Sequence, residues 1–292
     1  MSDEARPAPA DEIPAATIRE ELEISNAPRL ADTRWALILG ASSGFGAATA
    51  LALANAGFHI AGVHLDMRRT IANAEETKRR IEETGRKARF FNMNAADPDK
   101  RREMLDTIQE EIGPDDGFRV FMHSLAFGSL VPFLPTEGGK PPVTEKQMDM
   151  TLNVMAHSLV YWTQDLVARN LLKPGSRILA MTSSGSHRVI PNYGVVSAAK
   201  AALESHIRVL AMELAAGGVT ANAIQAGVTD TAALRMIPGH EEIVRFALAR
   251  HPAKRLTTPA DVARFIVLLT SPDSQWVNGD VLRVDGVEDA LA

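Results

Sequence analysis

The chain has 292 residues and is 46% hydrophobic, which suits one large domain with a continuous core. Its net charge of −5 lacks the basic footprint of a nucleic-acid-binding protein, and the absence of cysteine excludes disulfides, thiolate metal sites and thiol nucleophiles. No apolar run approaches the ~20 residues that cross a bilayer. We therefore expect a cytoplasmic protein with no nucleic-acid or membrane partner and, since the histidines show no ligand spacing, no metal.

Residues 1–33 form the first region of the chain. They are acidic and rich in proline and alanine, with neither the basic start nor the apolar core of a secretory signal. We expect an extension that is either flexible or a packing arm in an oligomer.

From Trp35 onward, short β-rich apolar runs alternate with helical patterns. The predicted strands are residues 36–39, 59–64, 88–93, 118–123, 177–181, 220–224 and 281–284. The predicted helices are residues 46–56, 71–84, 99–112, 146–170, 195–216 and 259–269. Such alternation, without an internal repeat, predicts one doubly wound α/β domain of the Rossmann type over residues 34–292, with a parallel sheet and helices on both faces.

Two segments interrupt this alternation: residues 128–143 follow the fourth strand and residues 231–255 follow the sixth. Both leave the carboxyl ends of strands, where open α/β sheets bind ligands. We therefore expect both to be loops that cover a substrate.

The turn after the first strand is rich in glycine and opens into an Ala-rich helix. Its notable residues are Gly40, Ser42, Ser43, Gly44, Phe45 and Gly46. The three glycines let the backbone turn sharply and approach a pyrophosphate at the helix N-terminus, where N–H groups and the helix dipole favour anions. Because the spacing G-x-x-x-G-x-G differs from the G-x-G-x-x-G fingerprint, a turn that binds nothing remains the alternative to a nucleotide site.

Tyr193 and Lys200 form the most informative pair in the chain. Seven positions are two helical turns, so a phenol and an ammonium would share one face with an axial rise of about 10 Å between them. The phenol can donate a hydrogen bond, and the ammonium can anchor a polar ligand. The alternative is that both are ordinary residues near the start of a helix.

The glycine turn, Ser183, Tyr193 and Lys200 together resemble the short-chain dehydrogenase/reductase superfamily over about residues 34–287. Most members of that superfamily place the lysine four residues after the tyrosine, where this chain has Ser197. The seven-residue offset instead resembles the enoyl-[acyl-carrier-protein] reductase branch.

Two further runs resemble the same branch. They are the run from His123 to Phe127 after the fourth strand and Ala226-Gly227 after the sixth. The glycine turn and the run 229–234 resemble the less common NADPH-dependent class of that branch, which is closest to the ketoreductases. Leu39 departs from the superfamily, which usually has a threonine there to brace the turn.

The resemblance implies a nicotinamide dinucleotide cofactor. Aligned by the second strand, the acid that usually selects NAD(H) falls at His64, and Asp66 lies two positions beyond it. Arg68 and Arg69 suit the 2′-phosphate of NADP(H), so we expect NADPH, with NADH as the alternative and solvated surface charges as the other interpretation of the arginines. The remaining implied cofactor contacts are Asn94, Ala95, Ser124, Leu125, Ala126, Ala226, Gly227, Val228 and Thr231.

The resemblance also implies an activity. It is hydride transfer from NAD(P)H to Cβ of a trans-2-enoyl thioester in fatty acid synthesis, with the substrate on acyl carrier protein and the enzyme assembled as a homotetramer. Lys200 would grip the nicotinamide-ribose hydroxyls, and Tyr193 would hydrogen-bond the thioester carbonyl. Ser183 and Asn153 would support them, and Phe127 would line the acyl or nicotinamide pocket.

The offset between Tyr193 and Lys200 gives a physical reason to favour enoyl reduction. A ketoreductase delivers hydride to the carbonyl carbon, whereas an enoyl reductase delivers it two carbons away from the thioester oxygen. Moving the tyrosine from four to seven residues before the lysine shifts it by about 4.5 Å along a helix axis, in the required sense. The alternatives are a 3-oxoacyl thioester ketoreductase and, from another class, a non-catalytic dinucleotide-binding sensor.

Overall fold

The structure is a computed structural model that describes residues 34–135 and 137–291. Seven parallel strands form one sheet in the order β3-β2-β1-β4-β5-β6-β7. The strands are β1 (Arg34–Leu39), β2 (Phe58–His64), β3 (Ala88–Asn92), β4 (Phe118–His123), β5 (Arg177–Thr182), β6 (Thr220–Ala226) and β7 (Val281–Val284). The expectation of a doubly wound α/β domain is confirmed for the described residues.

Helices cover both faces of the sheet. They are α1 (Gly44–Asn55), α2 (Ile71–Glu83), α3 (Pro98–Ile112), α4 (Glu145–Leu152), α5 (Ser158–Ala168), α6 (Gly194–Leu214), α7 (Ala232–Arg235), α8 (His240–Arg250) and α9 (Pro259–Leu268). No helix among the described residues is both long enough and apolar enough to span a membrane.

The core lies in two layers, one on each side of the sheet. Alternate residues of β1 point to opposite faces, as the period of two in a strand requires. Leu37 and Leu39 join a cluster with residues of α3, α5 and α6, whereas Ala36 and Ile38 join a cluster with residues of α1 and α9. Two-sided burial explains why the strands of this sheet are so apolar.

The strand order reverses direction at β1, which pairs with β2 on one side and with β4 on the other. The carboxyl ends of β1 and β4 therefore flank a topological switch point, where doubly wound sheets bind their ligands. The glycine turn follows β1 and the run 124–127 follows β4, so the fold brings these two predicted segments together at the switch point.

The predicted strands and helices agree with the structure to within two residues at their ends, but one predicted helix and one predicted loop differ inside their bounds. The helix predicted over 146–170 is divided by a π-helical turn, Asn153–His157, in which the Ser158 amide donates to the Asn153 carbonyl. The segment 231–255 is not a plain loop, since it carries α7 and α8. A continuous hydrophobic pattern predicts a helix but does not reveal one extra residue in a turn.

The segment 128–143 has no helix or strand in its described residues, which exclude Thr136, as expected of a loop. The prediction for residues 1–33 lies outside the described residues.

Candidate active site

Each glycine of the turn after β1 is needed for a different steric reason. Gly40 has φ +86°, and a Cβ there would overlap the Ser124 carbonyl oxygen at the end of β4. A Cβ at Gly46 would overlap the Gly40 carbonyl oxygen, so α1 can pack closely against the turn only with glycine there. Gly44 has φ +54°, and a Cβ there would point towards Thr231, 3.8 Å from its Cγ2.

The N-terminus of α1 is suited to an anion. Ser43 is its N-cap residue, yet its side chain makes no capping hydrogen bond, and the first turn carries no acidic residue. The first amides of an α-helix have no partner within the helix, so they are available to a ligand. Thr231 lies across from Gly44 and uses its own hydroxyl to cap α7, where it accepts from the Leu234 amide at 3.2 Å. The turn therefore fits the pyrophosphate of a dinucleotide.

Phe45 and Ser42 fix the turn on its two sides. Phe45 is half-buried and packs on the core layer between α1 and α9. The Ser42 hydroxyl lies near the carboxylate of Asp66 and helps to lower its pKa. The conformation of the turn is thus set by the core and by the end of β2 together.

Asp66 is the centre of a polar network at the end of β2. Its carboxylate lies 2.8 Å from Nδ1 of His64, and its backbone exchanges hydrogen bonds with the Asn92 side chain at 2.9 and 3.0 Å. Burial raises the pKa of Asp66, but hydrogen bonds from Thr70, Ser42 and His64 outweigh it and leave the pKa below its usual value. The carboxylate is therefore ionised and already has several donors.

Arg68 and Arg69 are exposed beside this network. Within the described ranges, neither side chain has an ion-pair or hydrogen-bond partner, so both are free to meet a phosphate.

After the next strand, β3, the residues predicted to line the adenine pocket are held by hydrogen bonds that involve the main chain. Asn94 accepts from the Ala96 amide at 3.0 Å, and the Ala95 carbonyl accepts from Trp162 Nε1 at 2.8 Å. Both residues are therefore held in place, and their contact with an adenine remains a prediction.

Tyr193 is the residue immediately before α6, with φ −97° and ψ 0°. It stands outside the regular helix, although its carbonyl accepts the amide of Ser197 at 2.8 Å. The shift of about 4.5 Å along a helix axis therefore gives only the direction in which the tyrosine is displaced, and not the distance. The positive φ of Asn192, 62°, turns the chain into this position.

The ring of Tyr193 is 9% exposed and packs on Gly185, where a Cβ would lie 2.5 Å from its Cε1. Burial raises the pKa of Tyr193, and a hydrogen bond with the Ser183 hydroxyl opposes that rise. Ser183 also accepts the Gly185 amide at 3.1 Å. The structure thus brings together Tyr193 and Ser183, two of the predicted site residues, and the phenol is protonated at neutral pH.

Lys200 is buried in the first half of α6, 5% exposed. Its Nζ donates to the carbonyl oxygens of Met181 at 2.8 Å and Leu125 at 3.4 Å, which lie at the ends of β5 and β4. Burial lowers its pKa to about 8, with the charge of Glu204 opposing. Two acceptors among the described residues leave one of the three N–H bonds for a ligand.

Two neighbours of Lys200, the half-buried Glu204 and the buried His123, were not predicted as site residues from the sequence. Glu204 lies one turn further along α6 and accepts from the Thr182 hydroxyl at 2.5 Å. His123 is fully buried, and its Nε2 lies 2.8 Å from Ser158 Oγ, which itself donates to the Val154 carbonyl. Burial, and then the charge of Lys200, lowers the pKa of His123 to about 3, so it is neutral. The spacing i, i+4 from Lys200 could have indicated Glu204.

The other predicted residues lie around this centre. The Ser124 amide donates to the Leu39 carbonyl at 2.9 Å, which locks the end of β4 onto β1. Phe127 is 60% exposed, as a pocket wall could be. Asn153 is half-buried and opens the π-helical turn facing α6. Ala126 is exposed between Leu125 and Phe127.

The loop after β6 is held by the C-terminal residues. Ala226 ends β6, and a Cβ on Gly227 would overlap the Thr257 hydroxyl and come within 2.9 Å of Glu288. The Val228 amide donates to both carboxylate oxygens of Glu288, at 3.2 and 3.0 Å. The roles of these loop residues towards a cofactor remain predictions. Among the described residues, no three His, Asp or Glu side chains are grouped as a metal site would require.

The fold and this site define a dinucleotide-dependent reductase of the short-chain dehydrogenase/reductase superfamily. A family model described as Enoyl-(Acyl carrier protein) reductase matches residues 40–286. The chain belongs to this family. It is thus an oxidoreductase that uses a nicotinamide dinucleotide.

Individual relatives differ in their named activities. An NADH-dependent enoyl-[acyl-carrier-protein] reductase of Enterococcus faecalis is 32% identical over 181 residues, which cover 62% of this chain and 69% of that one. Versicolorin reductase 1 of Dothistroma septosporum is 26% identical over 87% of this chain and 95% of that one. A solved short chain dehydrogenase of Burkholderia cenocepacia, in complex with NADP, is 27% identical with a TM-score of 0.74, covering 88% and 98% of the two chains.

Proposed function

We propose that this protein reduces the carbon–carbon double bond of a trans-2-enoyl thioester, with NADPH as hydride donor. The observation that carries the proposal is the position of Tyr193 before the first turn of α6, with Lys200 two turns into that helix. A phenol in this position is better placed to hydrogen-bond an oxygen that lies away from the carbon that receives the hydride. The relative from Enterococcus faecalis, named for enoyl reduction, supports the same reaction.

Lys200 and Tyr193 have separate roles in the proposed reaction. When bound, the dinucleotide supplies a hydride. The free N–H of Lys200 would hydrogen-bond the ribose hydroxyls, while its other two N–H bonds hold the ammonium against the ends of β4 and β5. The Tyr193 hydroxyl hydrogen-bonds the thioester carbonyl oxygen and stabilises the negative charge that develops there after Cβ is reduced. A proton then reaches Cα from solvent or from Tyr193.

The acyl chain enters beneath the segment 128–143. In this segment Phe133 packs on Gly194, where a Cβ would lie 2.6 Å from its ring, and Gly128 packs against Val196. The segment therefore lies over the start of α6, next to Tyr193. Phe127 and Phe133 are both more than half exposed and offer aromatic surface to an acyl chain.

NADPH is favoured over NADH by the surroundings of Asp66. A carboxylate that already accepts from Ser42 and Thr70 and pairs with His64 competes poorly for a ribose hydroxyl. Arg68 and Arg69 stand free beside it to meet a 2′-phosphate. As partners we propose an acyl carrier protein that delivers the thioester and three further copies of this chain.

Reduction of a 3-oxoacyl thioester is the second candidate, because the match to versicolorin reductase 1 spans 87% of the chain. Incubating the protein and NADPH with crotonyl and with acetoacetyl thioesters separates the two reactions. We expect NADPH oxidation with the crotonyl thioester. Oxidation with the acetoacetyl thioester alone would establish a ketoreductase, and dinucleotide binding without turnover across both substrates would indicate a sensor.

A further inference from the structure

The last turn of the chain, residues 285–291, is attached to the loops of the site, and we name it the C-terminal strap. Its shape is fixed from within, since the Asp285 carboxylate accepts the amides of Val287 and Asp289 at 3.0 and 2.9 Å. Val287 takes a left-handed backbone with φ 79°. The Asp285 carbonyl accepts from His251 Nε2 at 3.1 Å, which ties the strap to the end of α8.

Asp289 binds the strap to the loop that follows β5. Its side chain is 4% exposed, and it pairs with His187 at 3.1 Å, Arg188 at 2.6 Å and Arg283 at 3.3 Å. Arg188 also donates to the Asp289 carbonyl. Burial raises the pKa of Asp289, but Gln225, His187 and Arg188 outweigh it, so the carboxylate is ionised. Without this carboxylate, the partly exposed guanidinium groups of Arg188 and Arg283 would lose the counter-charge that holds them together.

Glu288, the neighbouring residue, holds the loop that follows β6. Both of its carboxylate oxygens accept the Val228 amide. Burial raises the pKa of Glu288, and the bond from Val228 opposes this. Two consecutive acids thus join two strand-end loops of the site through one short turn.

The loop held by Asp289 surrounds Tyr193. It begins at Ser183, next to the phenol, and Gly185 forms the surface on which the ring packs. It ends at Ile190, whose carbonyl accepts the Tyr193 amide at 3.1 Å. The amides of His187 and Arg188 bond back to Ser184, so residues 184–188 are one compact turn. Pinning that turn at residues 187 and 188 therefore fixes both sides of the phenol.

We propose that Asp289 is a positioning residue for Tyr193: by holding His187 and Arg188 it keeps the loop 183–190 closed around the phenol. The effect of Asp289 on turnover rests on the proposed function of Tyr193. The effect of Asp289 on the position of the phenol does not depend on that function. Among the described residues, Asp289 forms no hydrogen bond or ion pair with Tyr193 or Lys200, so its influence passes through the loop.

The chain has only two tyrosines, so a Tyr161→Phe background leaves Tyr193 as the sole phenol. Acetylation of Tyr193 by N-acetylimidazole at neutral pH, read by peptide mass, then reports how often the loop opens. We expect Asp289→Ala and Arg188→Met to speed acetylation by about tenfold, since local opening exposes the ring. Arg188→Lys should restore slow acetylation. The matched control is Glu242→Ala, which removes a carboxylate from an exposed ion pair with Arg245.

With intact Tyr161, Asp289→Ala should also lower kcat while the Kd for NADPH stays unchanged. Unchanged acetylation in both Asp289→Ala and Arg188→Met overturns the proposal, as does equal acceleration in Glu242→Ala. The use of Arg188→Met keeps the test valid if Asp289→Ala does not fold. If the unmodified protein does not reduce enoyl thioesters, the proposed function fails, but the acetylation result still decides whether Asp289 positions the phenol.

Discussion

Lys200 is bonded to the main chain of Met181, whose carbonyl oxygen lies 2.8 Å from its Nζ. Met181 precedes Ser183 by two residues, so one strand end, that of β5, positions both the buried ammonium and the hydroxyl that meets Tyr193. A carboxylate at the same place would neutralise the ammonium. The neutral carbonyl holds it in place and leaves its charge for a ligand.

Replacing Tyr193 by phenylalanine should remove most turnover and leave dinucleotide affinity intact. The change deletes the hydroxyl that would stabilise charge on the thioester oxygen, an effect worth about 100-fold or more in kcat. Steady-state kinetics and NADPH fluorescence titration measure the two quantities. Tyr161→Phe, on α5 and 40% exposed, is the matched control and should keep full activity. Retention of full activity by Tyr193→Phe would reject the role given to the phenol.

Lys200 should make the free energy of unfolding depend on pH in the alkaline range. Its folded pKa is about 8, lowered from 10.5 by burial. Between these values the unfolded chain keeps a proton that the folded chain has lost, so this residue's contribution to the free energy of unfolding rises with pH. Below the folded pKa both states are protonated, and the cost of burying the charge is fully present.

Urea unfolding of the wild type and Lys200→Met across that pH range measures this dependence. The rise should be larger in the wild type than in the variant, because other groups contribute equally to both. An equal pH dependence in the two proteins would show that the lysine is not buried as a cation.

Gly46→Ala should destabilise the protein through the glycine turn. The added methyl would overlap the Gly40 carbonyl oxygen, which is backbone and cannot rotate away. We expect a loss of about 1–3 kcal/mol, or a fall in Tm of roughly 2–10 °C. Gly217→Ala is the control, since a Cβ there meets no atom within 4 Å. Equal melting temperatures for Gly46→Ala and the wild type would mean that α1 does not pack as described.

The doubly wound sheet and the order of its strands and helices along the chain could be predicted from the sequence, because hydrophobic periodicity and glycine placement are local properties. The roles assigned to the site residues stay predictions. It could not locate the network around Asp66, since Ser42 and Asn92 meet that residue only through the parallel pairing of β2 with its neighbours. Nor could it show that Tyr193 stands outside the helix, because that depends on the left-handed backbone at Asn192.

The contacts of the C-terminal strap also could not be predicted from the sequence. Glu288 and Asp289 follow the last strand as two ordinary acids, and no motif marks them. Their partners, Val228 and Arg188, are about 60 and 100 residues away in the chain, and only the folded sheet brings them together.

Removing both Arg68 and Arg69 should weaken NADPH binding and leave NADH binding unchanged. Each arginine can offer a guanidinium to the 2′-phosphate that NADH lacks. We expect the KM for NADPH to rise by about tenfold or more, equivalent to at least about 1.4 kcal/mol. Arg264→Ala, an exposed arginine on α9, is the control. Equal losses for the two dinucleotides would show that the arginines do not read the 2′-phosphate.

The most direct test of the account is the destination of the hydride. Single-turnover reduction with NADPH carrying deuterium at the transferred position, followed by NMR of the product, locates the label. We expect deuterium at Cβ of a saturated acyl thioester formed from the enoyl thioester. Deuterium only on the carbinol carbon of a 3-hydroxyacyl product formed from a 3-oxoacyl thioester, with none transferred to the enoyl thioester, would contradict it.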